Sequence, residues 1–315
     1  MRIALAGREL ARLSLWDAMT KISVPAFVAV LAFSPLAGGA LAAGPGGPQP
    51  RAFVSGEGSD VPGCASVITP CRTFQYAHDN IVAPGGSIYV ANAANYGQLV
   101  ITHAISIIND GSGTATILAP SSDGIDIEAG ASDVILIKGL TIDGVGMGNN
   151  GINLTSAGSL TVTATTVKGF GAGLPNGNGI FIQPGSGALT LDISDTLSTG
   201  NARAGILISA AGTAGIRASL TRDQANGNQY GVYLVDAGGS QTVVANQVTA
   251  SNNTNTGFVA VAGDGSLYLT RCVASGNPTA GVSSSKIVYS AGDNAIYGNT
   301  ANVTVPGGLT SAPLQ

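Results

Sequence analysis

The chain has 315 residues, a formal net charge of −4, only 10% charged side chains, 44% apolar ones and 46 glycines. So few charges exclude the usual helical cytosolic enzyme, in which about a quarter of residues are charged. The apolar content excludes a disordered chain, and the lack of a basic excess excludes a nucleic-acid partner held through phosphate contacts.

Residues 1–43 read as a signal peptide. Arg2, Arg8, Arg12 and Lys21 precede an apolar stretch from Ile22 to Leu41, which ends in Ala40-Leu41-Ala42. Small residues at that spacing mark a cleavage site near Ala42 or Ala43. A membrane anchor would need roughly 20 unbroken apolar residues, and Pro25, Pro35 and Gly38-Gly39 interrupt this stretch. The expected product is exported, to the periplasm or the extracellular space, with no membrane span. Cleavage also removes Trp16, the one tryptophan. An aromatic platform must then be built from Tyr or Phe.

Residues 44–86 form an N-terminal segment. In an exported protein Cys64 and Cys71 can close a small disulfide loop, worth about 2 kcal/mol. Cys272 reads as a buried free thiol within a strand. None of these spacings resembles a zinc site. Phe74, Ala77 and Ile81 recur at helical spacing and predict a short cap helix over 70–81. Ser87-Ile88-Tyr89-Val90 opens the first coil.

From there a repeat dominates. Gly124-Ile125-Asp126-Ile127 recurs as Gly151-Ile152-Asn153-Leu154, Gly179-Ile180-Phe181-Ile182, Gly205-Ile206-Leu207-Ile208 and Gly231-Val232-Tyr233-Leu234. Degraded copies follow at Gly257 and Gly281. Successive glycines lie 24 to 28 residues apart, and a period in the twenties marks a solenoid. Each copy carries a second alternating run, such as Val134-Ile135-Leu136-Ile137 or Leu189-Thr190-Leu191, and a weaker third, such as Leu140-Thr141-Ile142. Alternation with period two means strands. Asn and Gly crowd before the triplets, as in Asn176-Gly177-Asn178 and Asn226-Gly227-Asn228, where tight bends need them. The leucine ladder of leucine-rich repeats is missing. Three short strands per period describe a parallel β-helix of about eight coils of ~26 residues over 87–300. An irregular tail, 301–315, follows. The fold class is all-β: a single-stranded parallel β-helix with a short N-terminal cap helix.

Arg51-Ala52-Phe53-Val54-Ser55-Gly56, Cys64 and Pro70-Cys71-Arg72-Thr73-Phe74 resemble the opening of a group of secreted bacterial right-handed parallel β-helix proteins. Gly124 to Gly130 and Gly139 to Gly144 are similar to it too. The resemblance covers residues 51 to about 300 and implies the pectin-lyase-like fold and a right-handed coil. It implies no single activity, because lyases, hydrolases, epimerases, adhesins and phage spikes share that fold.

The catalytic signatures of that fold are missing. The Asn-Thr-Asp, Asp-Asp, Gly-His-Gly and Arg-x-Lys of polygalacturonase-like enzymes do not occur in the sequence. The calcium-binding carboxylates and Arg base of pectate-lyase-like enzymes have no counterpart beyond Asp123, Asp126 and Glu128. If Ile125 and Ile127 point inward, their alternates point outward. Asp126, Glu128, Asn153, Phe181, Gln183 and Tyr233 then line a shallow saccharide groove, with Phe181 or Tyr233 stacking on a sugar ring. The plainer alternative is that the tail or a loop covers the apolar part and the acids are solvated surface. Weaker matches carry nothing. Gly146-x-Gly148-x-x-Gly151 leads into a strand, so no helix N-terminus awaits a pyrophosphate. Ser283-x-x-Lys286 lacks its partner motifs. Asp143 sits in a turn. His78 and Asp79, adjacent on a helix, are expected to diverge, and His103 has no evident carboxylate partner.

The reading is therefore an exported, non-catalytic protein that binds polysaccharide or a cell-surface component, with no cofactor and no nameable catalytic residue. A polysaccharide lyase or glycoside hydrolase acting on the outer face of the first sheet is the alternative, and only there does calcium enter. A structural surface module is the third.

Overall fold

The structure, a computed structural model, describes residues 47–261 and 264–312. The expected signal peptide lies outside the described residues. The glycine triplets fall in strands Ile125–Glu128, Asn150–Ser156, Asn178–Ile182, Ala204–Ala211, Tyr230–Ala237, Thr256–Val261 and Ala280–Ser284. These stack in parallel into a nine-stranded sheet, the triplet wall. The second runs, among them Ser159–Thr163, Ala188–Ser194, Gly215–Thr221, Ser240–Asn246 and Asp264–Thr270, build an eleven-stranded long wall. The third runs, such as Thr166–Lys168 and Leu197–Thr199, build a six-stranded short wall. The chain visits the three walls in turn, making a parallel β-solenoid of about eight turns.

Register follows from the period-two pattern. Ile152 pairs with Ile125 and Ile180, Ile180 with Ile206, and Ile206 with Val232. All are buried, each within one continuous apolar core. A one-residue slip would turn every such side chain outward. Burying each is worth roughly 1.5–3 kcal/mol.

The repeat glycine has an ordinary backbone conformation, so its freedom of φ is not the reason for it. Close approach is. A Cβ at Gly231 would lie 2.5 Å from the Gly257 carbonyl oxygen of the next coil and 2.7 Å from the Ala250 Cβ. Gly231→Ala is expected to cost about 3 kcal/mol through overpacking against unyielding backbone. Chemical denaturation would read it as a lower midpoint with an unchanged slope.

The corner from long to short wall is different. It uses one left-handed residue per coil: Ala164, Asp195, Arg222, Gln247 and Arg271, with φ between 50° and 59°. Each costs about 1 kcal/mol relative to glycine. The corner persists because the next residue is buried, as at Thr165, Thr196, Asp223, Val248 and Cys272. The corner N–H also bonds the following coil, at a carbonyl in four cases, such as Asp195 to Thr221 and Arg222 to Asn246, and at the Asp293 carboxylate for Arg271.

The ends depart from the expected boundaries. Parallel pairing begins before residue 87, because Gln49–Val54 forms a rung on Val82–Val90. It continues past residue 300, through Ala301–Thr304 on the triplet wall and Thr310–Ser311 on the long wall. The helix runs Phe74–Asn80, and the Thr73 side chain caps it by accepting from the Tyr76 N–H. It lays Phe74, Ala77 and His78 on the first coils. That covers an edge that would otherwise expose unpaired strand and apolar surface. Cys64 and Cys71 are disulfide-bonded. Cys272 is a buried free thiol, at the corner before Val273–Ser275 rather than inside a strand.

Candidate functional site

On the outer face of the triplet wall, one row runs in register through Val100, Asp126, Asn153, Phe181, Leu207, Tyr233 and Val259. Four of the six expected site residues, Asp126, Asn153, Phe181 and Tyr233, lie on this row. Gln183 lies two residues beyond Phe181, just past the end of its strand. Glu128 is exposed, beyond a register shift that pairs it with Ser156. The row divides into a polar and an aromatic part that meet between Asn153 and Phe181.

The polar part is one hydrogen-bonded chain. Gln183 Nε2 donates to Asn153 Oδ1 at 3.0 Å. Asn153 Nδ2 donates to Asp126 Oδ1 at 2.9 Å and to Asp123 Oδ2 at 3.1 Å. Asp123 Oδ1 accepts from the Asn150 backbone and side-chain amides at 2.7 and 2.9 Å. Asp123 was not among the expected site residues. It precedes its repeat glycine, where the next two coils carry Asn150 and Asn178, and Asn178 in turn donates to Asn150 Oδ1. The asparagine row ending in an acid was the signal available. Burial and the neighbouring Asp126 carboxylate push the Asp123 carboxyl up to about 6, against the Asn150 hydrogen bonds that hold it down. Asp123 therefore keeps its proton up to about pH 6, where an ordinary carboxyl has given it up.

The aromatic part covers itself. Phe181, Ala204 and Leu207 form a small buried cluster with Tyr230, Tyr233 and Val235 packed on it. Leu207 faces outward yet is only 1% exposed. Neither the tail nor a loop was needed, because the two tyrosines supply the cover. Their rings lie 4.8 Å apart, and the Arg203 guanidinium sits 5.9 Å from the Tyr233 ring centre. Tyr233 stays half-buried. Burial and nearby Tyr230 raise its hydroxyl's pKa, so it remains a neutral donor.

Elsewhere the expectation for the histidines is corrected. His78 and Asp79 do not diverge: Nδ1 and Oδ1 are 2.7 Å apart. His78 Nε2 accepts from the Thr102 N–H, which places its proton on Nδ1. His103 stacks on His78 at 4.0 Å. Burial and His78 hold its pKa down. This is a docking contact between cap helix and first coils, which sequence separation hid. Asp143 closes its own turn by accepting from the Val145 N–H. Among the described residues no group of three or more His, Cys, Asp or Glu could hold a metal ion.

A model of the right-handed β-helix region matches residues 123–301, more than half of the chain. No curated protein and no solved structure matches it.

Proposed function

The chain belongs to the right-handed β-helix family, and from that footing we propose that it is an exported, non-catalytic binder of polysaccharide through the triplet wall. The observation that carries this reading is the single row in which Asp126 and Asn153 are followed in register by Phe181 and Tyr233. Amides and carboxylates suit sugar hydroxyls, and a half-buried tyrosine offers an apolar face with a polar tip. Export is supported by the Cys64–Cys71 bridge, which belongs to an oxidising compartment.

The test is retention on a panel of insoluble plant, algal and bacterial polysaccharides. Wild-type protein is expected to be retained on at least one. Asn153→Ala and Tyr233→Ala are each expected to weaken retention about tenfold, or roughly 1.4 kcal/mol. No retention on any polymer, or retention that both variants keep in full, would overturn the proposal.

One observation favours a second reading, a lyase or hydrolase at the same place. Asp123, carrying its proton up to about pH 6 beside Asp126, has the character of a general acid. Under that reading the same panel shows chain cleavage that falls as pH rises through about 6 and that Asp123→Asn abolishes.

A further inference from the structure

The long wall carries a second outward row. Thr161, Asp192, Ser219, Val244, Tyr268 and Tyr289 pair one with the next along the stack. Beside it Thr190, Arg217 and Thr242 form a parallel row. Asp192, Ser219 and Val244 of the first row and all three residues of the second line a shallow groove of about 460 Å³.

The groove combines unspent polar groups with an apolar floor. Asp192 and Arg217 are exposed, on adjacent strands, and among the described residues neither forms an ion pair. Round the corner, Asp195 and Arg222 do so with two hydrogen bonds of 2.7 and 2.6 Å. Val244 is 41% exposed and forms the floor. Tyr268 and Tyr289 are stacked with ring centres 4.6 Å apart and planes within 10°. Tyr268 pairs in register with Val244, so the stacked pair follows the Val244 end of the groove along the stack.

The occupant follows from this chemistry. The strands here lie inside the sheet with both edges paired, so no added strand can be accepted. A second protein surface would want a broad apolar core, whereas this groove is small and holds the charged Asp192 and Arg217 in its lining. One charge of each sign leaves it without net charge, so an anionic or cationic polymer gains nothing over a neutral one. A sugar ring has an apolar face for Val244 and Tyr268, and hydroxyls that both accept from Arg217 and donate to Asp192. A sugar residue in an extended chain also advances by nearly the spacing of adjacent coils.

We propose that this groove is a second saccharide subsite, distinct from the triplet wall, taking a neutral oligosaccharide that runs along the stack from Asp192 to Tyr268. The span is three coil steps, about 14 Å, room for about three sugar residues. It stands independently of the triplet-wall reading.

The experiment titrates cellohexaose, chitohexaose, xylohexaose and maltohexaose into the mature protein by calorimetry. The same titrations use Arg217→Ala, Tyr268→Ala and, for the other wall, Asn153→Ala, each checked for an unchanged melting curve. At least one hexasaccharide is expected to bind, with affinity at this groove reduced about tenfold by Arg217→Ala and by Tyr268→Ala, while Asn153→Ala weakens only binding that those two variants leave in place. Asp192→Asn, a milder exposed change, is expected to weaken it in the same direction. No binding by any of the four at millimolar concentration would overturn the subsite. So would binding that only Asn153→Ala weakens, an outcome that would leave the triplet-wall reading standing alone.

Discussion

Replacing Asp223 by asparagine is expected to stabilise the protein strongly at neutral and alkaline pH and to leave it unchanged near pH 3. Asp223 is fully buried at the corner between long and short walls. Its Oδ1 accepts from the Thr196 N–H at 3.0 Å, while its Oδ2 is buried with no hydrogen-bond partner. The same interior row carries neutral Thr165, Thr196, Val248 and Cys272 in the other coils. Burial therefore pushes the Asp223 carboxyl up to about 8. An unfolded Asp ionises near 3.9. Because the folded pKa is the higher, the protonated carboxyl's contribution is complete below about pH 4 and drains away as pH rises to 8. The loss reaches on the order of 5 kcal/mol by pH 8. Asparagine keeps the acceptor for Thr196 and has no charge to bury. Melting both proteins from pH 3 to 9 checks this, because every other carboxylate cancels in the difference. Two curves that run parallel across that range would refute it.

The second large effect is expected from Asn228→Ala, a loss of about 4 kcal/mol. Asn228 is one rung of a buried ladder. Its Oδ1 accepts from the Asn201 backbone and side-chain amides at 3.0 Å each. Its own N–H donates to Asn253 Oδ1 at 3.0 Å, and its Nδ2 to the Ser198 carbonyl at 3.0 Å. Asn253 repeats the pattern on Asn277, and Asn277 on Asn299. Alanine strands the two Asn201 donors and the Ser198 acceptor in the interior, each at about 1–3 kcal/mol less what local adjustment recovers. Asn299, at the half-buried end of the ladder, makes a useful contrast. Asn299→Ala should cost only about 1 kcal/mol. Urea denaturation of the two variants separates the cases, and equal losses would mean that burial of the ladder does not set its worth.

How far the sequence discloses all this depends on whether the cause is local. Ile125, Ile152, Ile180 and Ile206 announce their wall because alternation is a property of the strand itself. Asn201, Asn228, Asn253 and Asn277 announce their corner because tight bends favour asparagine wherever they occur. The left-handed corner is silent. Only Gly139 advertises it, while the coils after it use Ala164, Asp195, Arg222, Gln247 and Arg271, whose strain is held by neighbouring coils. The rung at Gln49–Val54 is hidden because the disulfide loop and cap helix separate it from its partner strand Val82–Val90. In the candidate site, Asp126, Asn153 and Tyr233 can be placed on one row by counting alone. The link through Asp123, and the cover that Tyr230 and Tyr233 lay over Leu207, depend on stacking between coils, which no single strand contains.

The corners also decide where this architecture can change length. Between long and short walls the middle coils spend two residues, 164–165, 195–196, 222–223 and 271–272, while the coils nearer the ends take six at 109–114 and four at 291–294. The second of each pair is buried, so an insertion there would force the interior open. Between short and triplet walls the crossing takes four residues at 200–203, six at 144–149 and nine at 169–177. The longest crossing reaches the acid–amide chain through Asn176, whose Oδ1 accepts from Asn150 Nδ2. Over the middle coils one seam of the solenoid is thus frozen and the other is free to grow. The free seam borders the candidate site, so descendants of this protein can acquire new recognition loops there while every wall strand keeps its place.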